Sequence, residues 1–309
     1  MPRVDNVSVT PTSTSYFSPP QAGLDPHLFN GQKIKPAIRN GVSRLLYDYL
    51  DTRYARPRDW TRVWLAGSGV SYQWAAERSP GDLDCLVGVD YIGFRADNPD
   101  YQGLSDVEIS RMLNAEFRQH IMNHTGNWNG YELTYYVNPH ASDIRSIAPY
   151  AAYDLTGDEW TVHPDENAAP PTEGKWAVRA EMDRAKAEEI VKRYSSALTE
   201  LQNAQNPAHR VNAERRLHYV LEHAADLYDD IHEGRHLGFS MTGEGYASYS
   251  NYRWQAGKQS GAIDALKRLK QYRDDMREST EVQTYGTALA EADDLILRAA
   301  THYAVGSDW

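Results

Sequence analysis

Two aspartates one residue apart open the run Asp82-Leu83-Asp84-Cys85-Leu86-Val87-Gly88-Val89. In a β-strand successive side chains point to opposite faces, so Asp82 and Asp84 share one face while Leu83, Cys85, Val87 and Val89 share the other. The apolar row can join a core, which leaves two carboxylates whose Cα atoms stand roughly 7 Å apart on the far face. Like charges that close repel and raise each other's pKa unless a cation lies between them. Mg²⁺ suits the position, because it is a hard ion that takes one or two carboxylates together with substrate phosphates. Upstream, Leu65-Ala66-Gly67-Ser68 supplies a complementary piece. Arg62 to Ala66 reads as a short buried strand, and Gly67 ends it with a residue that permits close backbone approach. Ser68 brings a hydroxyl and a run of backbone N–H groups at the start of a short helix predicted over Val70 to Ala76, a geometry that binds phosphates.

Gly67-Ser68 on one strand, a thirteen-residue spacer, then Asp82-x-Asp84 on the next strand resembles the nucleotidyltransferase superfamily of the DNA polymerase β type. The resemblance covers about residues 35–165, with a long spacer and an unusual Tyr72-Gln73-Trp74 filler. It implies a third carboxylate on a neighbouring strand. Glu132 matches that position, in the alternating run Tyr131-Glu132-Leu133-Thr134-Tyr135-Tyr136-Val137, with Asp143 and Asp154 in reserve. The implied site holds two Mg²⁺ ions, or Mn²⁺ in their place, on Asp82, Asp84 and Glu132. The implied reaction moves a nucleoside monophosphate from an NTP such as ATP to an acceptor hydroxyl, with release of pyrophosphate. Relatives of this type act on RNA 3′ ends, proteins or small molecules, so the acceptor stays open, a tRNA-like end included. Two alternatives stand beside it, a catalytically inactive nucleotide-binding module and a zinc metallopeptidase through His232-Glu233-Gly234-Arg235-His236.

Two further segments carry residues of chemical interest. His232-Glu233-Gly234-Arg235-His236 matches H-E-x-x-H, the zinc-peptidase pattern of two ligands four apart with a general-base Glu. Gly234 weakens a helix there, the helix is expected to end at once, and Phe239 replaces the glycine of the extended motif. A polar helix C-terminus whose histidines favour the dipole is the plainer expectation. The segment Asn251 to Lys258 is read as a loop in which Arg253 and Lys258, among aromatics, would grip a triphosphate.

The elements that must position these groups follow from composition and periodicity. The chain has 309 residues, 41% hydrophobic and 24% charged, enough for two domains. No apolar run reaches membrane-spanning length and no basic-then-apolar leader is visible, so a cytoplasmic protein without membrane contact is expected. Cys85 is the single cysteine, which fits a reducing compartment. Net charge is −11, and residues 82–173 hold sixteen acidic against four basic side chains. That balance suits cations and repels polyphosphate unless metal neutralises it. The expected fold is α+β: an extended or disordered arm over 1–24 and a small mixed sheet with flanking helices over 25–166. A linker over 167–174 and a C-terminal helical bundle over 175–309 complete it. Within it, helices are expected over Gln32–Tyr54 and from Ser105 to about Asn123, a polar loop over Asp90–Gly103, and a hairpin over 150–164. The bundle helices are expected over Trp176–Asn203, Pro207–Ile231, Gln259–Glu278 and Gln283–Tyr303, with a loop over Gly238–Tyr252.

Overall fold

The computed structural model describes residues 7–12, 15–139, 142–171 and 174–289. It is mixed α and β, and it divides into two compact units.

The sheet unit comprises Ser15–Pro170 with Phe239–Ala247. A small ribbon, β1 (Phe29–Asn30) and β2 (Lys33–Ile34), precedes the long helix α1 (Pro36–Arg53) and a single turn α2 (Pro57–Trp60). Then follow β3 (Thr61–Ala66), β4 (Gly81–Val89), α3 (Tyr91–Asp97), α4 (Asp106–His120), β5 (Tyr131–Tyr136), β6 (Ala152–Asp154) and β7 (Glu159–Val162). The five strands from β3 onward form one sheet in the order β5-β4-β3-β6-β7, antiparallel except for the parallel pair β4–β5.

Alternation fixes which way each strand faces. Val63 and Leu65 of β3, Leu83, Cys85, Val87 and Val89 of β4, and Leu133 and Tyr135 of β5 are all buried on one face. They pack against Ile38, Val42, Leu46 and Leu50 of α1 and Ile109, Leu113 and Phe117 of α4, which recur at helical spacing. Tyr135 closes this layer by donating its hydroxyl to the Val42 carbonyl at 2.8 Å. The capping box of α4 is complete, with Ser105 Oγ accepting from the Glu108 amide and the Glu108 side chain accepting from the Ser105 amide.

The other face of the sheet carries an apolar patch that begins at Ala66, the cross-strand partner of Asp84. There Trp64, Ala66, Leu86 and Ala152 are covered by Ile144, and a Cβ on Gly88 would lie 2.2 Å from the Ser142 carbonyl oxygen. The strand Asp82–Val89 therefore carries two carboxylates and a covered apolar patch on the same side.

The helical unit comprises Pro171–Gly238 and residues 248–289, with residues 7–12 against it. Its elements are α5 (Gly174–Gln202), α6 (Pro207–Gly238), α7 (Tyr249–Ser260) and α8 (Ala262–Tyr285). Tyr194, Leu217, Leu221, Tyr228, Ile231, Leu266, Leu269 and Tyr272 form its core.

Several expectations need correction. The segment Asp90–Gly103 is not a loop, since Asp90 caps α3 by accepting from the Ile92 and Gly93 amides. Helix α6 does not stop at Ile231 but runs to Gly238. The loop over 238–252 is shorter than expected and Asn251–Lys258 lies inside α7, which Ser248 caps at one end and left-handed Gly261 ends at the other. Helix α8 runs unbroken across the expected gap at 278–283 to Tyr285, and the rest of the Gln283–Tyr303 helix, from 290 on, lies outside the described residues. Of the arm over 1–24, residues 1–6 and 13–14 lie outside them too. Residues 7–12 have no regular structure but are held, with Val7 buried and Thr12 donating its amide to the Gln259 carbonyl. Among the described residues no helix is long and apolar enough to cross a membrane.

Candidate active site

The antiparallel register of β3 and β4 pairs Ala66 with Asp84, so the residue that ends β3 turns directly beside the second aspartate. Gly67 there has φ 87° and ψ −164°, a conformation closed to most side chains. A Cβ on Gly67 would lie 3.0 Å from Asp84 Oδ2, and one on Gly69 would lie 2.3 Å from the Asp82 carbonyl oxygen. Both glycines flanking Ser68 are therefore pressed against the Asp82–Asp84 segment. Val70, fully buried, anchors the bend into the core. The expected helix over Val70–Ala76 is absent; Ser68–Val70 forms one 3₁₀ turn, closed by the Ser71 amide and hydroxyl on the Ser68 carbonyl at 3.0 and 2.9 Å. Any anion at this place would meet a bend of amides and a hydroxyl, not a helix N-terminus.

The parallel register of β4 and β5 pairs Asp82 with Glu132 and Asp84 with Thr134. Paired residues on adjacent strands share a face, so Asp82, Asp84, Glu132 and Thr134 form a patch of two neighbouring rows about 5 Å apart. Thr134 Oγ1 donates to Asp84 Oδ1 at 3.0 Å, and Arg78 Nη1 donates to Asp82 Oδ2 at 3.1 Å. Glu132 is exposed. Among the described residues no three of the His, Cys, Asp and Glu side chains converge into a ready metal site. The three carboxylates are neighbours on one surface, not a closed cage. Their chemistry fits a hard divalent ion nonetheless: the donors are all oxygen, and the missing Cβ of Gly67 lets backbone approach Asp84.

The reserve carboxylates are engaged elsewhere. Asp154, buried on β6 two strands from β4, accepts Arg62 Nε and Nη2 at 2.8 and 2.6 Å and the Thr156 and Gly157 amides. Asp143 holds Arg145, whose guanidinium takes its carboxyl down to a pKa of about 2. A cavity of about 760 Å³ opens at the opposite end of β3 and β4 from the aspartates, lined by Arg62, Gly88, Asp90, Arg95, Asp106 and Asp154 among others. Its charged lining is already paired, Arg62 with Asp154 and Arg95 with Asp106.

Arg253 and Lys258 belong to the helical unit. Arg253 is not open to a phosphate, because Nε meets Asp183 at 2.6 Å and Nη1 meets Asp230 at 2.7 Å, tying α7 to α5 and α6. Lys258 stands in the last turn of α7, and its carbonyl accepts from the Thr12 hydroxyl and the Gly261 amide.

The H-E-x-x-H residues lie within continuous helix. The rings of His232 and His236 meet edge to face at 4.5 Å, and His232 also packs on Tyr228 and Trp254. Burial, then the neighbouring His236 and Arg235, pushes the His232 pKa down to about 4, and burial and Arg235 lower that of His236. Both rings are thus favoured neutral, and burial outweighs the helix dipole that would favour their cations.

Thr134, Arg78 and Gly69 escaped the sequence reading. Thr134 matters only through the β4–β5 register, which no single strand reveals. Gly69 and the i, i+4 spacing of Arg78 and Asp82 were visible signals. Comparison with family models, with curated proteins and with solved structures gives no match to the chain.

Proposed function

We propose that the sheet unit is a metal-dependent nucleotidyltransferase of the DNA polymerase β type, and that the helical unit accompanies it as the superfamily's second domain. The observation that supports this reading most is the Gly67-Ser68-Gly69 bend seated against the Asp84 carboxylate and the Asp82 carbonyl, with Glu132 in register beside Asp82. Asp82, Asp84 and Glu132 would hold two Mg²⁺ ions, or Mn²⁺. Such ions neutralise phosphate charge and lower the pKa of an attacking hydroxyl. Ser68 Oγ and the amides of its turn bind the β- and γ-phosphates. Thr134 fixes the orientation of the Asp84 carboxylate. The acceptor oxygen attacks the α-phosphorus in line, the bond from that phosphorus to the α,β-bridging oxygen breaks, and pyrophosphate leaves. The exposed Glu132 carboxylate takes the acceptor proton. The acidic balance of residues 82–173 favours a protein or small-molecule acceptor over long nucleic acid.

The test is incubation with each α-labelled NTP and Mg²⁺ or Mn²⁺, with and without total RNA, resolving every labelled product. The wild-type chain is expected to transfer label and release pyrophosphate, and Asp84→Ala to fold normally without doing either. Transfer by folded Asp84→Ala, or none by the wild type with any nucleotide, defeats the assignment.

A further inference from the structure

The outward side of the α5–α6 pair is built as an interface. The Arg216–Glu200 and Arg253 bridges set the two helices antiparallel and fix their register, so that Lys186 lies opposite the Asp226–Asp230 turn. Their inner sides hold the core of the helical unit, through Ala187 and Tyr194 on α5 and Leu217, Leu221, Tyr228 and Ile231 on α6. Their outer sides enclose an open groove of about 720 Å³ whose floor is Met182, Ala185, Ile190 and Leu227. Met182 is 56% exposed, and Val178 and Leu237 continue the apolar strip at 62% and 71%. A surface helix with an apolar stripe on both sides calls for a second layer.

The charge on the two walls selects what that layer is. The α5 wall carries Lys186, Glu189 and Arg193, and the α6 wall carries His223, Asp226 and Asp230; Arg193 is paired with Glu189 and Asp230 with Arg253. Among the described residues Lys186 and Asp226 make no ion pair within the chain. A two-fold axis lying in the groove, parallel to the helices, lays α5 of one copy antiparallel on α6 of the other. Lys186 then faces the Asp226–Asp230 turn of the second copy, twice over by symmetry. The alternative two-fold, perpendicular to the helices, stacks α5 on α5 and α6 on α6 and keeps Lys186 of each copy away from Asp226 of the other. We propose that this face is the interface of a two-fold homodimer, closed as an antiparallel four-helix layer over Met182, Ile190 and Leu227. The inference is independent of the reaction assigned to the sheet unit.

Sedimentation velocity of the full chain across the micromolar range tests it, with the exposed-site variants Lys186→Glu, Asp226→Lys and the two combined, each checked for folding by circular dichroism. The wild type is expected to be a dimer. Each single reversal should weaken the dimer roughly 10- to 100-fold in Kd, and the combined reversal should restore it, because opposite charges then meet again across the axis with their signs exchanged. A monomeric wild type overturns the proposal. So does a dimer indifferent to both single reversals, or a folded double variant that stays as weak as the singles.

Discussion

Gly67→Ala measures how tightly the serine-bearing bend is clamped to the carboxylates. At φ 87° and ψ −164° the backbone sits in a region open essentially to glycine alone, and forcing alanine there costs about 1–3 kcal/mol. The new Cβ would also lie 3.0 Å from Asp84 Oδ2, a carboxylate whose other oxygen is held by Thr134 at 3.0 Å. Relief by rotating Asp84 breaks that charge-assisted hydrogen bond, worth about 1.5–3 kcal/mol. Because strain and displacement share one relaxation, about 3 kcal/mol is expected, not the sum. Gly31→Ala is the control, with a positive φ of 62° but nothing within 4 Å of the added atom, so that it incurs backbone strain alone. Urea unfolding followed by circular dichroism and tryptophan fluorescence should place Gly67→Ala about 1 M below wild type for a slope near 3 kcal/mol/M, and Gly31→Ala clearly less. If the two variants unfold together, the bend is not seated on Asp84 and the geometry of the site is wrong.

Thr134→Val keeps shape but removes the donor to Asp84, so the transfer rate should fall about tenfold, and stability should fall by the roughly 1.5–3 kcal/mol that this bond is worth. Arg253→Ala leaves Asp183, whose side chain is 10% exposed, without its partner, so stability should drop by about 3 kcal/mol while KM for NTP stays unchanged. A raised KM at unchanged stability would instead return Arg253 to nucleotide binding. His232 is neutral in the fold down to about pH 4, whereas in the unfolded chain it takes a proton near pH 6.5. The unfolded state therefore binds the extra proton between those values, so the stability His232 confers is complete above about 6.5 and declines as pH falls toward 4. A His232→Gln variant should flatten that decline in denaturation midpoints taken across the window; an equal slope in both proteins would clear His232 of the effect.

The strands and the bend were legible because their signals are local. Leu83 and Cys85 alternate with the two aspartates, Val87 and Val89 continue the same buried face, and Gly67 marks the place where β3 must turn. Ser105 announced the start of α4 for the same reason. What failed were segments whose composition argues against their tertiary fate. Helix α7, read as a loop, is rich in Ser, Tyr, Asn and Gly, poor helix formers, and is held by buried Asn251 and Gln255 and by the Arg253 ion pairs; its Ser248 and Gly261 caps were the available clue. Gly93 and the Asn98-Pro99 step disguised α3 in the same way. In the site, the faces of Asp82, Asp84 and Glu132 could be read from alternation, but their adjacency and the Thr134 contact depend on strand pairing. Pairing is a property of two segments, and periodicity in either one does not contain it.

The claim beneath the proposed reaction is that Asp82 and Asp84 bind nucleotide by way of divalent ions. Titration calorimetry of a non-hydrolysable NTP analogue into wild type and Asp84→Asn, each with Mn²⁺ and with chelator, addresses it without knowledge of the acceptor. Binding is predicted only for wild type with Mn²⁺, at matched thermal stability of the two proteins. Equal binding in chelator, or undiminished binding by Asp84→Asn, would contradict it.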